Sequence, residues 1–90
     1  MWYVYFLRCS DNSIYIGITT DLKKRVKRHN DGKGCSYTCY RRPGKLLHYE
    51  IYADKSAAAK RERYLKGLTK VKKEAIAVGS LHPGEYRDSG

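Results

Sequence analysis

Tyr15-Ile16-Gly17, followed after Ile18-Thr19-Thr20 by Asp21-Leu22-Lys23-Lys24-Arg25-Val26-Lys27-Arg28-His29, reads as a glycine-bearing strand that runs into a helix with unequally placed charges. At about 100° per residue, Leu22, Arg25, Val26 and His29 fall on one face of that helix. Lys23, Lys24, Lys27 and Arg28 share the other. A helix that needs only a solvated basic surface has no use for an arginine and a histidine beside its leucine and valine. Two readings stand. Either Arg25 and His29 snorkel from the edge of the apolar stripe, their stems covering the core, or both are aimed at a site.

Upstream, residues 2–8 form a nearly continuous apolar and aromatic run, long enough for a buried strand and too short for a helix. Its period of two puts Tyr3, Tyr5 and Leu7 on one face and Trp2, Val4 and Phe6 on the other. Residues 9–13, with Asp11-Asn12, are a turn cluster, and residues 13–19 a second strand with Tyr15 and Gly17 on one face and Ile14, Ile16 and Ile18 on the other. Together they make a hairpin. It sets Tyr5 and Tyr15 on neighbouring strands, close enough to share a site when the register puts them on the same face.

Downstream, Thr20 or Asp21 caps the first helix, which ends near Asn30 before Gly32-Lys33-Gly34. A loop over 35–45 carries Ser36, Tyr37, Thr38, Arg41 and Arg42 and closes on Pro43-Gly44. Residues 46–53 read as a third strand. Ser56 caps a helix running to about Leu68, Thr69 starts another that stops at Gly79, and residues 80–90 form a loosely held tail. The expected organisation is one domain over 1–79 followed by a tail over 80–90.

The charge is as informative as the pattern. The chain of 90 residues carries a net charge of +10, concentrated in two blocks. Residues 22–45 hold nine Lys or Arg against Asp31 alone, and residues 55–74 hold eight against Glu62 and Glu74. Such fields attract polyanions, above all nucleic acid, through counterion release and steering. Solubility is the plainer use of the same charge. No stretch approaches the roughly 18 to 20 apolar residues of a membrane-spanning helix, and the N-terminus has a strand pattern without a signal-peptide layout. Cys9, Cys35 and Cys39 have no CxxC spacing or histidine pair, which argues against zinc and for reduced thiols in a cytoplasmic protein.

In the helix after the third strand, Tyr64, Leu65 and Leu68 cluster on the apolar side, with Lys60, Arg63 and Lys66 on the other. Glu62 is its single acid and sits at the border of the packing face. An internal ion pair with Arg61, Lys66 or Arg25 is one reading. A functional carboxylate is the other.

Two phenols, an arginine and a histidine one helical turn apart, and an isolated carboxylate suit phosphodiester hydrolysis. A carboxylate can hold a hard divalent ion with waters completing the octahedron, and an arginine can grip non-bridging phosphate oxygens. A phenol can take the proton of an attacking water, although an ordinary value near about 10 calls for cations nearby.

At these residues the sequence resembles the GIY-YIG nuclease superfamily, in particular its small stand-alone, single-domain bacterial-type group. Tyr3-Val4-Tyr5 stands where the family has Gly-Ile-Tyr, and Tyr15-Ile16-Gly17 is its second signature. Arg25 falls at the phosphate-binding arginine, His29 at a position often held by tyrosine or histidine, and Glu62 at the single metal-binding glutamate. The resemblance implies an α/β fold of the α+β kind, with a central three-stranded antiparallel β-sheet flanked by helices. It also implies a one-metal endonuclease using magnesium or manganese. In that mechanism Tyr5 is the general base, Tyr15 helps place the water or phosphate, Arg25 stabilises the phosphorane charge and Glu62 holds the metal. His29 assists proton transfer or orients the phosphate. Two departures are visible: Tyr3 replaces the first glycine, and Ile18 stands where many members have a lysine that could lower the Tyr5 pKa. Lys66 or Lys33 is a candidate replacement.

Lys24, Arg28, Lys33, Thr38, Arg41, Arg42 and Lys66 complete the expected nucleic-acid-binding set. The expected partner is DNA, with single-stranded, duplex and branched substrates all open, for a monomer or weak dimer acting in repair, recombination or foreign-DNA handling. The alternative is a non-catalytic nucleic-acid-binding module that keeps the fold. Retention of Glu62 together with Tyr5, Tyr15, Arg25 and His29 favours the enzyme, since a binding module needs lysines more than an isolated acid.

Overall fold

The alternating runs at the N-terminus form the expected hairpin. In the computed structural model, which describes residues 1–79, β1 is Trp2–Arg8 and β2 is Ile14–Thr19. Asn12 makes the turn between them at φ +71°, a left-handed conformation that asparagine tolerates. β3, Lys45–Tyr52, pairs with the free side of β1, so the sheet order is β2-β1-β3 with both pairings antiparallel. The register sets Tyr5 opposite Gly17 and Leu7 opposite Tyr15, which places both phenols on one face. A one-residue irregularity between Phe6 and Leu7 interrupts the β1–β3 ladder. The result is the three-stranded α+β architecture that the sequence implies.

Four helices follow from local caps and loops among the described residues. α1, Leu22–Asn30, starts at Asp21, whose carboxylate accepts the Lys24 amide at 3.0 Å. α2, Ser36–Cys39, is a single turn within a segment that the sequence presents as loop. α3, Lys55–Lys66, is capped by Asp54 and not by the expected Ser56: the Asp54 carboxylate accepts the Ala57 amide at 2.8 Å, which starts the helix earlier. Thr69 caps α4, Lys70–Ala77, as expected. The tail expected over 80–90 lies outside the described residues.

The opposite face of the hairpin supplies the core. Val4, Phe6, Ile14 and Ile16 pack against Ala58 and Leu65 of α3 and Ile76 and Ala77 of α4. Cutting fully buried Leu65 back to alanine would cost about 2 to 5 kcal/mol. Two forked ion pairs tie this layer together. Arg61 on α3 reaches Glu50 on β3 through bonds of 2.9 and 3.0 Å, and Tyr52 donates to the same carboxylate at 2.8 Å. Arg61 is therefore committed to Glu50 and is not the partner of Glu62. Arg8 on β1 grips Glu74 on α4 at 2.5 and 2.6 Å.

Candidate active site

The sheet face away from that core carries Tyr5, and α1 delivers His29 to it. The Tyr5 hydroxyl lies 2.9 Å from His29 Nε2, and each residue is only 1% exposed. On its far side the imidazole meets Thr38 of α2, with Nδ1 2.6 Å from the hydroxyl. Two glycines make these approaches possible. A side chain at Gly17 would overlap the Tyr5 ring, and one at Gly34 would overlap the imidazole. The "snorkelling" option for His29 is thus excluded: its ring is buried and bonded at both nitrogens.

Burial sets the protonation of this pair. It raises the Tyr5 phenol above its ordinary value, and a hydrogen bond from Arg25 only partly offsets it. Burial, with the nearby charges of Arg25 and Arg28, lowers His29. Tyr5 is a phenol and His29 a neutral imidazole near pH 7. The expected lowering of the Tyr5 pKa by cations does not prevail in the protein alone; instead the phenol has a neutral base within hydrogen-bond reach.

Tyr15 stands beside them, its ring centroid 6.3 Å from that of Tyr5 and 5.3 Å from that of His29. Burial raises its phenol, and donating to Cys35 raises it further. The thiol of Cys35 is raised by burial, but bonds from Thr38 and Tyr15 outweigh that and bring it below its ordinary range. Tyr37 stacks at 5.7 Å on the outer side of Tyr15, under the guanidinium of Arg41.

Arg25 stands between Tyr5 and the cleft at the start of α1. With Thr19, Thr20, Asp21, Lys24 and Arg28 it lines that cleft. Those cations and hydroxyls are suited to successive phosphates. Glu62 approaches from α3, close enough for its charge to raise both Tyr5 and Tyr15. It pairs with Lys66 one turn on at 3.3 Å, and Lys66 Nζ stands 5.7 Å from the Tyr15 ring centroid. Of the two lysines considered as substitutes at Ile18, Lys66 is therefore beside a site phenol. Ile18 itself packs on the core side of the sheet.

The structure packs Tyr5, Tyr15 and His29 together, with Arg25 and Glu62 near enough for their charges to act on Tyr5, and distributes the remaining residues more widely. Lys24, Arg28 and Lys33 are exposed, and Arg28 also donates to the Lys33 carbonyl at 3.1 Å. Arg41 is held by Asp11 at 2.9 Å and by the Tyr37 carbonyl at 2.7 Å, and Arg42 by the Cys39 carbonyl at 2.9 Å. Both spend part of their donors on shaping the α2 loop. Thr38 is 2% exposed with its hydroxyl on His29, so it is not on the surface where a phosphate contact would place it. Cys35, Gly34 and Tyr37 are the neighbours that sequence reasoning missed. The close glycine spacing before Cys35 was the available signal.

Comparison with known proteins gives consistent matches over this region. The GIY-YIG catalytic domain matches residues 1–75. A UPF0213 protein of Clostridium perfringens is 48% identical over 87 residues, covering 96% of this chain and 94% of that one. The UPF0213 protein YazA of Bacillus subtilis is 51% identical over 72 residues, 80% of this chain and 73% of its own. Among solved structures, the solution NMR structure of a UPF0213 protein from Bacillus halodurans aligns with a TM-score of 0.57 at 40% identity, over 94% of this chain and 92% of that one.

Proposed function

The chain belongs to the GIY-YIG family, and from that premise we propose that it is a divalent-metal-dependent endonuclease that hydrolyses phosphodiester bonds in DNA. The observation that carries this reading is the buried hydrogen bond of 2.9 Å between Tyr5 and His29, in the field of Arg25 and Glu62. A basic binding surface needs no phenol and imidazole sealed together in this way.

The chemistry follows from the residues. Arg25 receives the non-bridging oxygens of the scissile phosphate and offsets the charge that builds on them in the transition state. Tyr5 takes the proton of the attacking water while its own proton passes to His29 Nε2. Tyr15 orients the water or the phosphate. Lys24 and Arg28 hold neighbouring phosphates along the α1 cleft, with Lys33, Lys66, Arg41 and Arg42 as outer contacts.

The donor set fits a magnesium or manganese ion. Glu62 is a hard oxygen ligand, about a quarter exposed, and Lys66, half exposed, can swing away from it. One carboxylate with waters and substrate phosphate oxygens is a common magnesium arrangement. Bound there, the ion would neutralise charge on the phosphate. Among the described residues no cluster of three or more His, Cys, Asp or Glu offers another metal site.

We assign the protein to the cytoplasm, where its three free thiols would stay reduced, and to DNA repair, recombination or foreign-DNA handling. No helix among the described residues is long and apolar enough to cross a membrane. The ion pair between Glu62 and Lys66 favours the second reading, a non-catalytic binding module in which Glu62 is structural. End-labelled single-stranded, duplex and flapped oligonucleotides, incubated with magnesium, manganese or chelator, separate the two. Metal-dependent cutting supports the enzyme, and salt-sensitive binding without cutting supports the module.

A further inference from the structure

Building on the nuclease reading, we propose that Thr38 is a positioning residue that fixes the tautomer of His29, keeping the proton on Nδ1 so that Nε2 is free to receive the proton of Tyr5. The direction of each hydrogen bond supports this. The Tyr5 hydroxyl carries one proton and lies 2.9 Å from His29 Nε2, which can accept it whenever the imidazole proton sits on Nδ1. At the other end, the Thr38 proton has an acceptor in the Cys35 carbonyl at 3.4 Å, and the Cys35 sulfur lies 3.5 Å from the same hydroxyl. Thr38 then offers His29 a lone pair, and Nδ1 must be the nitrogen that carries hydrogen, across 2.6 Å. The opposite order would turn the Thr38 proton away from the Cys35 carbonyl toward Nδ1, and would leave the Tyr5 proton without His29 as acceptor. With Tyr5, His29 and Thr38 all buried, the satisfied order is strongly preferred.

The proton balance is complete. As the water oxygen bonds to phosphorus and the leaving oxygen departs, the water proton goes to Tyr5 and the Tyr5 proton to Nε2. The imidazolium keeps its Nδ1 proton on Thr38, the leaving oxygen takes a proton from solvent, and His29 later returns one to solvent. The groups facing the imidazole are Tyr5 from β1, Tyr15 from β2, Arg25 and Arg28 from its own helix, and Cys35 beside α2.

The test is nitrogen NMR of the ¹⁵N-histidine-labelled protein near neutral pH, without metal or DNA, joined to cleavage kinetics. Wild type and Thr38→Ser should both show His29 protonated at Nδ1. Thr38→Val, which keeps the shape and removes the acceptor, should lose that preference and lower kcat by about 10- to 100-fold with KM little changed, the scale for an outer partner that orients a histidine. An Nε2 proton in wild type, or an unaltered tautomer in Thr38→Val, overturns the proposal. If Thr38→Val does not fold, the wild-type and Thr38→Ser spectra still decide. If the protein cuts no substrate, the nuclease reading fails, while the wild-type tautomer still decides the role of Thr38.

Discussion

Gly17 stands directly across from Tyr5 in the β1–β2 ladder, and the phenol occupies the space where a side chain at position 17 would begin. The glycine of the second signature is thus required by the tyrosine of the first. Gly17→Ala should force the Tyr5 ring away from His29. The expected cost is about 1 to 3 kcal/mol of stability for overpacking, with cleavage reduced by roughly 100-fold from the misplaced phenol. Thermal melts and cleavage rates on one preparation check both; an alanine variant with wild-type values would show that the ring is free to move.

Tyr5→Phe keeps the ring and removes the proton that His29 receives, and Arg25→Ala removes the guanidinium from the cleft. Each should lower cleavage by at least about 100-fold while leaving the fold intact by circular dichroism. Wild-type rates in both variants would falsify the assignment.

Glu62→Gln separates metal binding from structure. Its partner Lys66 is half exposed, so losing the pair should change stability by less than about 1 kcal/mol. Metal-dependent cleavage should disappear, while DNA affinity measured without metal stays level or rises, because a negative charge near phosphate has gone. A folded variant that still cuts removes Glu62 from the site.

Glu74 should contribute to the acid limb of stability, alongside Asp11 and Asp31, whose carboxyls are also lowered by their hydrogen bonds. Hydrogen bonds from Arg8 and then Lys70 hold its carboxyl at about 2, against 4.5 when unperturbed. Because the folded value is the lower one, the contribution is fully present above 4.5 and is lost as pH falls toward about 2. His29, lowered by burial first, acts in the next window: its stability contribution is full above 6.5 and declines as pH drops below that toward its folded value. Urea melts across pH should show a smaller lower step in Glu74→Gln and lose the upper one in His29→Gln.

Binding should weaken steeply with salt and show modest sequence preference, since the cleft at the start of α1 presents Lys24, Arg25 and Arg28 to phosphates. Affinity titrations at several salt concentrations measure the slope, and a flat response would count against a phosphate-led interface.

The hairpin and its two faces were legible because period-two alternation over Trp2–Arg8 and Ile14–Thr19 survives folding intact. The residues Tyr5, Tyr15, Arg25, His29 and Glu62 were legible through spacing and resemblance. The short helix Ser36–Cys39 was not, because four residues between glycine and proline clusters carry no apolar period. The expectation of Thr38 as a nucleic-acid contact misses its place for a related reason: its burial depends on His29 arriving from another element, a tertiary fact that no local pattern contains. Glu50 was passed over inside a strand. There Tyr49 and Ile51 are exposed, at 46% and 54%, whereas Glu50 turns inward to Arg61.

The clasp between Arg8 and Glu74 also sets the smallest piece of chain that can be expected to work. Every residue assigned to catalysis lies at or before Glu62, so a fragment ending at Lys66 would retain the whole reactive set. It would nevertheless lack the carboxylate that anchors the end of β1, and with it Ile76 and Ala77 from the underside of the sheet. α4 carries none of the residues assigned to catalysis, yet its Glu74 holds Arg8 at the end of the Tyr5 strand and its Ile76 and Ala77 complete the core beneath it.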